Sequence, residues 1–211
     1  MIISKPDIIC LSCMDILKKI IGVRSPRPKF PVIEPVQKRF SPRVFSSKEV
    51  SDKDLRSIFE AARLAPSGRN NQPWYYCLIR KGANAYAKII SCLPERNSWA
   101  KSAPVIIIAC YDPTEPEDII NRWALYDLGA SVISLVLQAQ SLGYYCRQIG
   151  SFDCNKAKKL FSIPDPLKPF VLVALGKIGD EKDYQGADPE IVKRDLQKTG
   201  RKNDVYKEII D

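Results

Sequence analysis

The apolar positions of this chain alternate between helical and extended spacing, and the changes of period mark its elements. From Ile8 to Ile21 they recur at helical spacing. Pro26, Pro28, Pro31 and Pro35 then exclude regular helix and predict an extended arm or linker. At Ser51 the helical period returns: Ser51 and Asp54 form a capping box, and Leu55, Ile58, Phe59, Ala62 and Ala65 make one apolar stripe. Pro66 disfavours helical backbone in the residue before it, so this helix stops near Ala65. Next, "WYYCLIRK" predicts a strand, "NAYAKIISCL" a helix, and "APVIIIACY" a central strand buried on both faces. A long helix should run from about Pro116 to Leu142 and end at Gly143. "YYCRQIG" reads as a short strand, "DCNKAKKLF" as a helix capped by Asp153, and "KPFVLVALG" as a second central strand. A last helix begins at Asp188, with Pro189 in its first position.

Helices thus alternate with few strands, with no internal repeat. The run "LGASVISLVLQAQSLGYYC" from Leu128 to Cys146 is uncharged and mimics a membrane span. Its glutamines, its serines and its marginal length instead predict a helix buried on nearly all sides, in a large core or at a dimer interface. With 211 residues, 45% hydrophobic and 27% charged, the composition is that of one folded domain rather than a disordered chain.

A net charge of +9 suits nucleic acid, an anionic membrane or a phosphorylated small molecule. The basic residues are scattered among acidic ones, as in "KEVSDKDLR", without a basic stripe, which argues against nucleic acid. Seven cysteines, several inside apolar runs, and no signal-like N-terminus predict a reducing cytoplasm. Cys10 and Cys13 have a metal or redox spacing. A structural zinc needs two further ligands, and the chain has no histidine and no second such pair, so an incidental pair is expected and no metal.

Two polar clusters interrupt the pattern. "APSGRNNQPW" ends a helix, for which a proline or glycine suffices. It also gathers Ser67, Arg69, Asn70, Asn71 and Gln72 beside Gly68, a set suited to a flat, polar-edged ligand. In "KRFSPRVF", Pro42 holds Ser41 extended, so Arg39, Ser41 and Arg43 point to one side with the two arginine backbones roughly 13 Å apart. Such a pair is either two solvated arginines or a hold on an elongated ligand, with a phosphate at one end and a polar ring edge at the other.

The order R-x-S-x-R, capped helix, A-P-S-x-x-N-x-Q-P-W, strand, buried strand, then "ALYDLGASVISLVLQAQSLGYYCRQIG" resembles the nitroreductase-like family of FMN-dependent oxidoreductases. The resemblance is clear from about Val36 to Gly176 and weak over the last thirty residues. It implies an α+β, three-layer sandwich with a central mixed sheet flanked by helices, an intertwined homodimer, and FMN bound where subunits meet. Residues 1–35 then form an N-terminal arm or extension, and 36–211 a single FMN-binding domain. By the same resemblance Arg39, Ser41 and Arg43 bind the FMN phosphate and ribityl chain. Pro66, Ser67, Gly68 and Asn70 come over the flavin from the partner, and the backbone of Ile149 and Gly150 passes beside the ring. A basic pair completes the phosphate site: Arg201 with Lys202, or Lys193 with Arg194, of which Arg201 is favoured. Arg147 stands where the family carries a tryptophan, and would either favour an anionic substrate or face solvent. The stretch from Asp112 to Trp123 is too short for a large lid.

The implied activity is hydride transfer from NADH or NADPH, through FMN, to a nitroaromatic, quinone or activated alkene. No side-chain nucleophile is expected, and Arg43 is the candidate to stabilise charge at flavin N1 and O2. Reductive dehalogenation, flavin destruction, oxidation of a peptide-derived substrate, or flavin binding without turnover are alternatives on the same scaffold.

Overall fold

The computed structural model describes residues 16–25, 28–115, 119–197, 200–202, 205 and 209. Cys10 and Cys13 lie outside them. Strands β1 (Trp74–Arg80), β2 (Val105–Tyr111), β3 (Tyr145–Ile149) and β4 (Lys168–Gly176) form one sheet in the order β1-β2-β4-β3. β2 and β4 are its centre, and their alternate residues feed two cores. Val105, Ile107, Ala109, Val171, Val173 and Leu175 face α3 (Asp52–Arg63) and α5 (Ala124–Ser141). Ile106, Ile108, Cys110, Leu172 and Ala174 face α4 (Asn84–Ile90), a 3-10 helix over Glu95–Ser102, and α6 (Cys154–Leu160). Each fully buried isoleucine or leucine contributes about 1.5–3 kcal/mol, which fixes the register of both central strands.

This is the expected three-layer α+β sandwich, with one correction. Every adjacent pair of strands among the described residues is antiparallel, so the sheet is not mixed. β2 and β3 do run the same way, joined across α5, but β4 lies between them and pairs with both.

Local signals account for most boundaries. Ser51 Oγ accepts the Asp54 amide hydrogen at 3.1 Å, whereas the Asp54 carboxylate accepts the Tyr144 hydroxyl at 2.7 Å, so only half of a capping box forms at α3. Asp153 caps α6 through the Lys156 amide at 2.8 Å, and Asp188 with Pro189 opens α8 (Pro189–Asp195) as expected. Gly143 ends α5 with a φ of 73° that disfavours side chains.

Two expectations shift. α5 begins at Ala124 rather than near Pro116, because Asn121 accepts the Trp123 amide hydrogen and a bridge pairs Thr114 with Ile120 upstream. In the arm predicted to be extended, Glu34–Lys38 forms a short helix, α2, because Pro35 sits in its first turn, where the missing N–H breaks no helical bond. The chain also forms α7 (Glu181–Gln185), closed by a reciprocal box between Asp180 and Asp183.

Preceding α2, helix α1 (Ile16–Arg24) packs on the domain. Its Ile20 is fully buried with Phe40, Val44 and Tyr184 in a third apolar cluster. On the opposite account, α5 leaves a face uncovered: Tyr126 is 76% and Ile133 41% exposed, with Gly129 and Ala130 between them on the same side.

Candidate functional site

α2 and the extended segment after it carry the first predicted cluster. Arg39 lies at the C-terminal end of α2, half-buried, and its guanidinium has no hydrogen-bond or ion-pair partner among the described residues. Burial lowers its pKa first, and the nearby charge of Arg201 lowers it further. The structure therefore sets Arg39 and Arg201 within electrostatic reach of each other. Lys193 instead pairs with Glu190 at 3.4 Å, and Arg194 lies in reach of Arg147.

Arg43, the other arginine of this cluster, is engaged within the chain. Its backbone amide and Nη1 both donate to Asp195, at 2.7 and 2.8 Å, and Asp195 is fully buried. The guanidinium expected at flavin N1 and O2 is thereby paired, through Nη1, with a buried carboxylate. Tyr184 donates to the same carboxylate at 3.3 Å.

Arg147 neither faces solvent nor projects outward as a substrate ligand. Its guanidinium stacks over Trp99, 5.1 Å from the ring centroid, and Nη1 donates to the Ser41 carbonyl at 2.6 Å. Burial, then Arg43, brings its pKa down to about 10, so it remains charged at neutral pH. It braces the segment that presents Ser41. Arg24, Arg43 and Arg147 thus lie within electrostatic reach of Asp195, and Arg39 and Arg201 within reach of Arg24, in one strongly positive region.

The second cluster forms a closed loop at the other end of α5. Ser67 Oγ accepts the Gln72 amide hydrogen at 3.0 Å, and the Gly68 amide donates to Asp127 Oδ2 at 3.1 Å. Arg69, Asn70 and Gln72 take φ values of 52°, 59° and 45°, a left-handed conformation that costs non-glycine residues about 1–2 kcal/mol each. Strain of this kind persists where the surroundings over-determine the backbone. Here Asp127, Ser67 and an Arg69–Glu115 ion pair of 2.8 Å supply the hold. The Asn70 and Asn71 side chains make no hydrogen bond among the described residues. Pro66 and Asn70 are exposed, and Ser67 and Gly68 half-exposed beside the Trp123 ring.

At the end of β3, the Ile149 side chain is buried in the second core, which leaves its backbone as the part a ligand could use. Gly150 is exposed, with open space where a side chain would be. The predicted residues therefore fall in two groups. Arg39 and Arg201 come together, and the loop of Ser67 stands apart, because α2 packs at the C-terminal end of α5 and the loop at its N-terminal end. From Asp127 to Gln140 the helix rises roughly 20 Å.

The sequence profile of the nitroreductase family matches residues 36–177. The chain belongs to the nitroreductase family. A relative from Archaeoglobus fulgidus named "Putative NADH dehydrogenase/NAD(P)H nitroreductase" is 31% identical over 157 residues, covering 71% of this chain and 87% of the relative. A relative of the same name from Methanothermobacter thermautotrophicus is 28% identical over 167 residues, covering 76% and 84%. A solved structure described as an oxidoreductase containing FMN superposes with a TM-score of 0.78 at 28% identity, over 86% of this chain and 93% of that one.

Within this nitroreductase-family fold, sequence reasoning missed Asp127, Asp195 and Arg24. Asp127 carried a usable signal, as the lone charge in an otherwise uncharged helix. Asp195 stands in the mixed run "VKRD", where nothing distinguishes a buried carboxylate from a solvated one.

Proposed function

We propose that this protein is an FMN-dependent oxidoreductase that works as a homodimer, taking hydride from NADH or NADPH. The single observation that carries the reading is the unpartnered, half-buried guanidinium of Arg39, set beside the like charges of Arg201 and Arg24. Buried cations need a counter-charge, and a phosphate monoester would supply it, so these residues fit the phosphate end of FMN. When bound, FMN supplies the redox chemistry, passing reducing equivalents to a nitroaromatic, quinone or activated alkene.

In this reading Arg39, Ser41 and Arg201 hold the phosphate and ribityl chain. Arg43 and Arg147 hold the backbone that presents them. The open backbone at Ile149 and Gly150 lies beside the ring, and no side chain is required as a nucleophile. Pro66, Ser67, Gly68 and Asn70 line the flavin from a second copy, because one chain holds its loop and its arginines at opposite ends of α5. This two-chain arrangement is supported by the uncovered face of the same helix around Tyr126 and Ile133.

The purified protein is expected to be yellow and to bleach with NADH or NADPH in the absence of air. Arg39→Ala should weaken FMN binding at least tenfold while leaving riboflavin, which lacks the phosphate, bound as before; tenfold corresponds to about 1.4 kcal/mol. A colourless protein that takes up no added FMN would refute the proposal.

A further inference from the structure

We infer that Arg24, from the helix that precedes the family's matched segment, is a further phosphate-binding residue of this site. The inference rests on the reading that the arginine cluster receives the phosphate of FMN. Residues 36–177 match the nitroreductase family, so α1 lies outside that match. It is nevertheless fixed in place. Ile20 is fully buried against Phe40 and Val44, which flank the segment carrying Ser41, and against Tyr184 of α7.

Arg24 Nη1 donates to the Gln197 carbonyl at 3.4 Å, whereas its Nε is buried and has no hydrogen-bond partner among the described residues. A buried guanidinium N–H without an acceptor is destabilising, and a bound anion would supply the acceptor. Asp195 is not that acceptor: Oδ1 takes Arg43 Nη1, and Oδ2 takes the Arg43 amide and the Tyr184 hydroxyl. Arg24 lies within electrostatic reach of Arg39, Arg43, Arg147 and Arg201 together, so an anion shared by Arg39 and Arg201 also falls in its field. Mutual repulsion among these guanidiniums is relieved by a dianionic ester, and Nε–H can donate a charge-assisted hydrogen bond to it. The N-terminal extension would then be a phosphate clamp laid over the flavin site, rather than a passive arm.

The test compares FMN with riboflavin on the full-length protein stripped of flavin, measuring dissociation constants by quenching of flavin fluorescence. Arg24→Gln should weaken FMN tenfold or more and leave riboflavin within twofold. Arg24→Lys should recover less than half of that loss on a logarithmic scale, because lysine keeps the charge and lacks the planar Nε–H. Equal weakening of both flavins would show that Arg24 only tethers α1 to Gln197, and would overturn the inference. Unchanged FMN affinity would overturn it as well. If Arg39→Ala measured alongside still weakens FMN selectively, the phosphate reading survives the loss of the Arg24 role. If neither variant matters, both fail.

Discussion

Asp195 is fully buried, and both of its oxygens are occupied by Arg43 and Tyr184. Around it stand guanidiniums that it cannot all neutralise. Removing one member of a buried ion pair leaves an uncompensated charge, so Asp195→Ala should cost roughly 3–5 kcal/mol in the flavin-free protein. Inorganic phosphate at millimolar concentration should restore part of that loss in a thermal melt, since an anion would replace the missing carboxylate. A variant that melts like the parent would show that Asp195 does not hold the cluster. At this scale the sequence was readable where a residue's neighbours in the chain define its setting. Pro42 extends Ser41, so the R-x-S-x-R spacing exposed Arg39. It was unreadable for Arg43 and Arg147, whose partners Asp195 and Trp99 come from elsewhere in the fold.

Among the elements, the loop from Ser67 to Gln72 depends on α5 for its shape. Asp127 is nearly fully buried and accepts the Gly68 amide hydrogen. Asp127→Ala should therefore cost about 1.5–3 kcal/mol, the range for a hydrogen bond to a charged group, and should speed hydrogen exchange at the Gly68 amide. Unaltered exchange there would mean that the loop holds itself.

The opposite end of α5 bears on α3. Tyr144 donates to Asp54, and this bond, followed by the Ser51 cap, holds the Asp54 carboxyl below its ordinary value of 3.8. A carboxylate with a depressed folded-state pKa stabilises the fold fully above its unfolded value and loses that contribution as pH falls through the folded value. Tyr144→Phe should therefore lower stability at pH 7 and shrink the part of the loss that acid causes below about pH 4, as measured by melting across pH 2–6. Helices and strands were legible because caps, prolines and period are local. The start of α5 was misplaced because Ile119, Ile120 and Trp123 carry apolar positions upstream into a turn set by Asn121.

For the whole molecule, the open face of α5 is the decisive feature. Gly129 lies mid-helix with empty space around it in the single chain, at a position where glycine is about 0.8–1 kcal/mol worse than alanine. Nothing among the described residues requires it, whereas the close approach of a second helix would. Ile133→Glu, which sets a charge on that face, should yield monomers in analytical ultracentrifugation. It should also lower FMN affinity, since in the proposed two-chain site the loops of Ser67 and Asn70 would no longer reach the partner. Monomers that keep full FMN affinity would contradict the two-chain site.

Hydrophobic period and capping residues made the two central strands and most helices legible, and motif order the family and, through that resemblance, the layers, because all of these are properties of neighbouring residues. The tertiary structure alone decided which arginines are spent and which are available. Pairing with a buried carboxylate is a matter of distance in space, and Arg43 meets Asp195 across more than a hundred residues of chain. It also decided that α1 belongs to the body of the protein. A helix with a single core residue such as Ile20 carries too weak an apolar pattern to reveal its docking site, and only the cavity formed by Phe40, Val44 and Tyr184 gives that residue somewhere to be buried.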